Sequence, residues 1–352
     1  MPFALLVICA LQSGALHKQE FPSLFSEQKH FLITYAPIEP VSRKCPKYGW
    51  DFSVKVEAHG FVLTTQKQEL RFRVYAQSHK YVSLAQDTAK VLLLCRDLLT
   101  QKINFDNPMR YSYLVDVFLC EGGVPGGEQG IFTGEDEFGH RANRNTVYIY
   151  NLDSFSDPIE RLREVAHEYG HAALPPVKGF ETPEEFGNGY LGEKLFLNWI
   201  LQSDENIKLL PDSFSSDKES QSKWLKDNVV NLIDKIWISG VDLKALQAKG
   251  KDAMNEYIGL MLFTENAIPS VFSRALRLAK DYTAIGAYNG LKDALNEKSS
   301  WEIHVPEKFI QKNVWIPFPE QWLIEGASIV KSENDRLQVK PSRKIITVRK
   351  KS

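Results

Sequence analysis

The sequence predicts an α+β protein: a mixed sheet with a long helix near the N-terminus, a helical lobe, and a small β-rich end. Three observations predict it. Apolar and polar residues alternate with period two at Trp50–Ala58 and Leu70–Tyr75, the signature of half-buried strands. From Asp157 to Leu295 apolar residues instead recur three and four apart, the period of a helix. After Trp301 the short alternation returns, broken by Pro306, Pro317, Pro319 and Pro341.

The 352 residues are 43% hydrophobic and 25% charged, enough to build a core for one large or two modest domains. The formal net charge of −1 argues against a nucleic-acid partner. The basic tail from Lys340 to Ser352 reads as a solvated strand and a frayed end. No apolar run approaches the ~18 residues that a membrane span requires, so stable insertion is not expected.

Residues 1–15 carry a short apolar core, Phe3 to Leu11, then the small residues Ser13 and Ala15. That pattern predicts a secretory signal peptide and a secreted or periplasmic destination. Its removal leaves Cys45, Cys95 and Cys120, none in C-x-x-C spacing. One disulfide and one free thiol are consistent with that number, and the pairing stays open. Cys95, in the apolar run V-L-L-L-C, reads as a buried small hydrophobe.

In order, residues 16–30 read as a polar linker. Phe31–Tyr35 is a strand stopped by Pro37 and Pro40. Trp50–Ala58 is the next, turned by Gly60 into Phe61–Thr65, and Leu70–Tyr75 follows. Ser83–Ile103 is a long amphipathic helix with Leu84, Val91, Leu92, Cys95, Leu98 and Leu99 on its apolar face. Tyr111–Leu119 and Thr146–Tyr150 are strands joined by a glycine-rich stretch, Glu121–Asn145, longer than a plain loop warrants. Helices are expected over Trp224–Ile238, Leu243–Phe263, Ile268–Tyr282 and Ala287–Leu295, after a polar loop at Gln202–Ser222. The resulting division is 31–200 for a core with a β-rich beginning, 201–299 for the helical lobe and 300–352 for the β appendage.

The informative stretch runs from Asp157 to Asn198. Asp157 suits a helix N-cap, Pro158 the first helical position, Glu160 a D-x-x-E box, and Pro175–Pro176 stop the run. Inside it stands His167-Glu168-Tyr169-Gly170-His171, an H-E-x-x-H pattern. On a helix the two histidines lie about 6 Å apart along one face, so both imidazoles reach one metal ion. Glu168 projects beside them, placed to take a proton from a water that the metal has made acidic.

A catalytic zinc site needs a third protein ligand and an open position. Glu193, on a second helical segment Gly189–Ile200, is the candidate. Glu184 and Glu185, in a P-E-E-F loop, are its rivals. Candidate hydrogen-bond donors to a developing oxyanion are Tyr190, Tyr257 and His140.

This stretch resembles the gluzincin class of zinc metallopeptidases, which pair H-E-x-x-H with a glutamate on a following helix. G-Y-L-G-E-K-L-F is similar to the W-L-N-E-G-F segment of their aminopeptidase branch. The resemblance covers residues 157–198 and rests on His167, Glu168, His171 and Glu193. It implies a zincin-like catalytic domain holding one Zn2+, a peptide or protein substrate, and Glu168 as general base. It also implies an edge strand over the cleft, which Gly126 to Phe132 can supply for pairing with an extended substrate.

The chain departs from the thermolysin-like members, which carry an aspartate four residues after the ligand glutamate; here Leu197 stands there. No third histidine follows in metzincin register. The competing expectation is a non-catalytic zincin-fold protein that binds peptide or glycan.

Overall fold

The computed structural model describes residues 17–23, 26–42, 50–62, 65–103, 114–135, 141–279, 281–319, 321–333 and 335–351. Among these, the first half forms a seven-stranded sheet. Its strands are β1 (His17–Ser23), β2 (Ser26–Ser42), β3 (Asp51–Val62), β4 (Lys67–Ala76), β5 (Val115–Cys120), β6 (Gly126–Glu135) and β7 (Arg141–Tyr150). The order is β1-β2-β3-β4-β5-β7-β6. The first four pair antiparallel, β4–β5 and β5–β7 pair parallel, and β6 returns antiparallel to β7 as an edge. The sheet is therefore mixed, as the sequence predicts.

Three local expectations are corrected. Part of the polar stretch before residue 30 is strand β1, paired with β2 along its length. Pro37 and Pro40 do not stop β2; its pairing shifts between Pro37 and Val41, because proline has no N–H to give the ladder. Gly60 does not turn β3. The chain runs on to Val62, where Arg96 Nη1 donates to Phe61 O at 2.8 Å. The turn follows, with Gln66 at φ 57 and its N–H on Val62 O at 2.8 Å.

Within the glycine-rich stretch β6 covers the edge strand expected over Gly126 to Phe132 and runs on to Glu135, paired from Gly126–Tyr150 to Glu135–Arg141.

Helix α1 (Val82–Ile103) lies over β3 and β4, and α2 (Pro158–Ala173) over β7 and β6. Under them Val54, Val56, Val74, Val117 and Val147 are buried. Alternate residues face the other way: Tyr75, Phe118 and Tyr148 stack there at 4.8 and 5.0 Å. Beyond α2 come α3 (Asn188–Leu201), α4 (Asp204–Ile207), α5 (Lys218–Leu225), α6 (Asn231–Ser239), α7 (Leu243–Gln247), α8 (Lys251–Ala267), α9 (Pro269–Leu278) and α10 (Ala284–Asn296). The helix expected over 243–263 is broken: α7 closes with Ala248 N–H on Ala245 O, and Gly250 opens α8.

The C-terminal strands β8 (Ser300–His304), β9 (Val314–Ile316), β10 (Trp322–Glu325), β11 (Ala327–Glu333), β12 (Arg336–Pro341) and β13 (Ile345–Lys350) form two three-stranded antiparallel sheets. One continuous buried cluster runs from Val54 in β3 to Val348 in β13. The terminal strands thus share the helices' core.

No helix among the described residues is long and apolar enough to cross a membrane. Cys95 and Cys120 are both buried. Residues 1–15, with the signal-peptide expectation, and Cys45 and His140 lie outside the described residues.

Candidate metal centre

Helix α2 begins where the sequence places it. Asp157 caps it by accepting from Ile159 N–H at 3.0 Å, and Pro158 is its first residue. Glu160 does not close a capping box; it accepts from Arg163 Nε at 2.7 Å. The helix ends at Ala173, just before Pro175–Pro176.

Helix α3 crosses α2 so closely that backbone meets backbone. A Cβ added to Gly192 would lie 2.5 Å from Gly170 Cα, and one added to Gly170 would lie 2.7 Å from Asn188 O. The glycine within the H-E-x-x-H pattern, Gly170, therefore marks the crossing. That contact brings Asn188, Gly189 and Glu193 against the two histidines.

His167 Nε2 and His171 Nε2 face each other at 3.2 Å. The other nitrogen of each ring is occupied. His171 Nδ1 lies 3.0 Å from Asn188 Oδ1. The orientation of that amide is fixed, since its Nδ2 donates to His171 O at 3.1 Å and Leu174 O at 3.2 Å. Oδ1 must accept, so His171 Nδ1 carries its proton. His167 Nδ1 lies 3.1 Å from Glu193 Oε2, a carboxylate that only accepts, so it carries a proton too.

Both Nε2 lone pairs consequently point at one spot. Two acceptors at this distance need a proton or a cation between them. Two nitrogens held about 2.0–2.1 Å from one zinc at a tetrahedral angle lie about 3.3–3.4 Å apart. The observed 3.2 Å matches that spacing.

The surroundings agree. Ligand atoms of His167, Glu168 and His171 all lie within 4.8 Å of one another. A Cβ on Gly189 would sit 2.3 Å from His171 Nε2 and 2.6 Å from His167 Nε2, so the bare glycine leaves a cradle there. Glu184 reaches over the pair, its Oε2 3.5 Å from His167 Nε2 and its Oε1 3.4 Å from His171 Nε2. Imidazole and carboxylate donors grouped in this way could hold a divalent metal ion.

Glu193 does reach the histidines, but at Nδ1, behind His167, rather than at the Nε2 pair. Its oxygens are also held by Lys194 Nζ at 2.5 Å and Arg163 Nη1 at 3.1 Å. Burial works against its charge, but Lys194, His167 and Arg163 prevail and hold its carboxyl at about 2. Burial likewise opposes a charge on His167. Glu184 and Glu193 override it and lift the ring to about 10, so without metal a proton takes the cation's place. Glu184, opposed by burial but drawn by both imidazoles, is held at about 2.

Glu168 is 3% exposed, and its Oε2 has no hydrogen-bond partner. Burial raises its carboxyl to about 7, with the imidazoles pulling it back. It opens onto a cavity of about 310 Å³ that Gly127, Gln129, Glu184 and Phe186 also line.

Tyr190 sets its ring edge-on to His167, centroids 4.7 Å apart, with Lys194 Nζ 5.0 Å from its own centroid. Tyr257 is not at the cavity: it is fully buried against Phe180, its hydroxyl without a partner. Glu185 is exposed and gives only its carbonyl, to Phe180 N–H at 3.2 Å.

Sequence reasoning sought the second partner of the histidines four residues after Glu193 and found Leu197. The partner is Asn188, five residues before it, at the start of α3. Only its setting between two glycines hinted at a tight approach. Compared with known protein families and with curated proteins, the chain finds no match.

Proposed function

We propose that the chain is a zinc-dependent hydrolase of peptide bonds with a zincin-like core, as its resemblance to the gluzincins implies. One observation carries the reading: two imidazoles, each locked by an Nδ1 partner, aim their Nε2 lone pairs at one point beside an unpartnered glutamate oxygen.

His167 and His171 would hold the ion. Zinc, when bound, makes water acidic and polarises a carbonyl. Glu168 Oε2 takes the proton of the attacking water and hands it to the leaving amine. Burial raises its carboxyl to about 7, which leaves it basic enough to accept that proton and acidic enough to give it up. Strand β6, at the edge of the sheet among the described residues, supports an extended peptide as substrate by offering backbone for strand addition. Gly127 of that strand abuts Glu168. Tyr190 packs on His167 but, like Tyr257, does not line the cavity onto which Glu168 opens; it lines a second pocket with Glu193 and Lys194. The apolar N-terminal stretch is consistent with a secreted enzyme.

The test is metal analysis with peptide hydrolysis. Wild type is expected to hold one zinc and to cleave peptides in a chelator-sensitive way. Glu168→Gln should keep the zinc and lose at least about 10²–10⁴-fold in turnover. An unchanged rate removes Glu168 from the mechanism. Full zinc occupancy with no cleavage of any peptide library favours a non-catalytic binder of peptide or glycan.

A further inference from the structure

Two carboxylates reach the histidine pair, and they reach different atoms. Glu193 lies behind His167, on Nδ1. Both of its oxygens are engaged, Oε1 with Lys194 and Oε2 with Arg163 and the ring. The two nitrogens of an imidazole direct their lone pairs away from each other. A group hydrogen-bonded to Nδ1 therefore orients the ring and cannot also join a metal held at Nε2. Glu184 lies in front, with one oxygen near each Nε2, at 3.5 and 3.4 Å. Its Oε1 is buried and has no hydrogen-bond partner. A shared cation would supply what that oxygen lacks.

We propose that Glu184, in the segment between α2 and α3, is the third protein ligand of the cation held by His167 and His171, and that Glu193 is a positioning residue for His167. This rests on the metal-dependent reading above and goes further, since the resemblance places the ligand at Glu193.

The segment is built to hold Glu184 there. Gly187 N–H donates to Val177 O at 2.8 Å, and Phe180 N–H to Glu185 O at 3.2 Å, closing it on itself. Glu181 N–H donates to Lys249 O at 2.6 Å, and Lys178 N–H to Tyr282 O at 2.7 Å, tying it to the helical lobe. A cation bridging His167, His171 and Glu184 therefore links α2, which packs on the sheet, to the lobe across this segment.

The experiment titrates zinc and cobalt(II) into metal-free full-length wild type, Glu184→Gln and Glu193→Gln, following affinity and the cobalt visible spectrum. Glu184→Gln should weaken zinc binding by more than about 100-fold and change the cobalt band, because a ligand is lost. Glu193→Gln should keep a wild-type cobalt band and lose about 10–100-fold in affinity, as removal of an orienting partner does. The reverse pattern overturns the assignment while leaving the metal site standing. Failure of wild type to take up either metal overturns the functional reading, and this inference with it. Should Glu193→Gln not fold, hydrogen exchange decides. Zinc should slow exchange of residues 178–187 in wild type and not in Glu184→Gln; equal protection in both overturns the assignment.

Discussion

Gly189 shows how much one missing side chain does. In a helix alanine is favoured over glycine, by about 1 kcal/mol in the interior and by less at the second position, which Gly189 holds in α3. Propensity alone therefore predicts that Gly189→Ala stabilises α3. Its Cβ would lie 2.3 and 2.6 Å from the two Nε2 atoms, in the space on which they converge. The expected outcome is a variant that unfolds within a few degrees of wild type and retains almost no zinc, measured by calorimetry and metal analysis. One zinc per Gly189→Ala chain would place the metal elsewhere. Asn188 acts by the opposite means. Its amide donates to the end of α2 and accepts from His171, so one side chain both finishes the helix and sets the ring's tautomer.

At the level of elements, the site exists because α2 and α3 touch through backbone. Gly170 and Gly192 meet at the crossing, and no flexible side chain there can move aside for an added Cβ. Gly192→Ala must push the helices apart. Overpacking of this kind costs about 1–3 kcal/mol or more, against the ~1 kcal/mol that propensity returns. Denaturant unfolding is expected to show a net loss of stability for Gly192→Ala, unlike Gly189→Ala. The same displacement carries Glu193 away from His167, so zinc affinity falls with stability. A Gly192→Ala protein as stable as wild type would show that the crossing is looser than its geometry.

At the scale of the whole molecule, the proposed metal site would exchange a proton for a cation. In the metal-free fold the acids around His167 lift it from 6.5 to about 10. A group raised in this way adds stability in full below pH 6.5 and loses it as pH rises through about 10. Zinc needs the same nitrogen unprotonated, so binding releases a proton anywhere below that value. Apparent affinity should therefore climb with pH, by up to about tenfold per unit, from neutrality toward pH 10. The gap in Tm between zinc-loaded and metal-free protein should widen over the same interval, because binding stabilises by about 2.7 kcal/mol at a hundredfold excess over Kd and grows with affinity. Scanning calorimetry of both forms between pH 7 and 9 checks this; a constant gap would mean that no proton leaves.

The sequence by itself determined α2, its cap at Asp157, its stop at Pro175, the pairing of His167 with His171 on one face, and the alternation that makes the sheet. These are local properties: backbone geometry within a few residues converts spacing into direction. The structure alone decided which acid faces which nitrogen. Glu184, Glu185 and Glu193 are chemically equivalent in the chain. They are separated by how α3 crosses at Gly170 and Gly192, and by which distant carbonyls, Lys249 and Tyr282, hold the intervening segment. The run of β3 past Gly60 and the role of Asn188 were hidden for the same reason. Each is fixed by a partner far along the chain, and local spacing carries no record of such contacts.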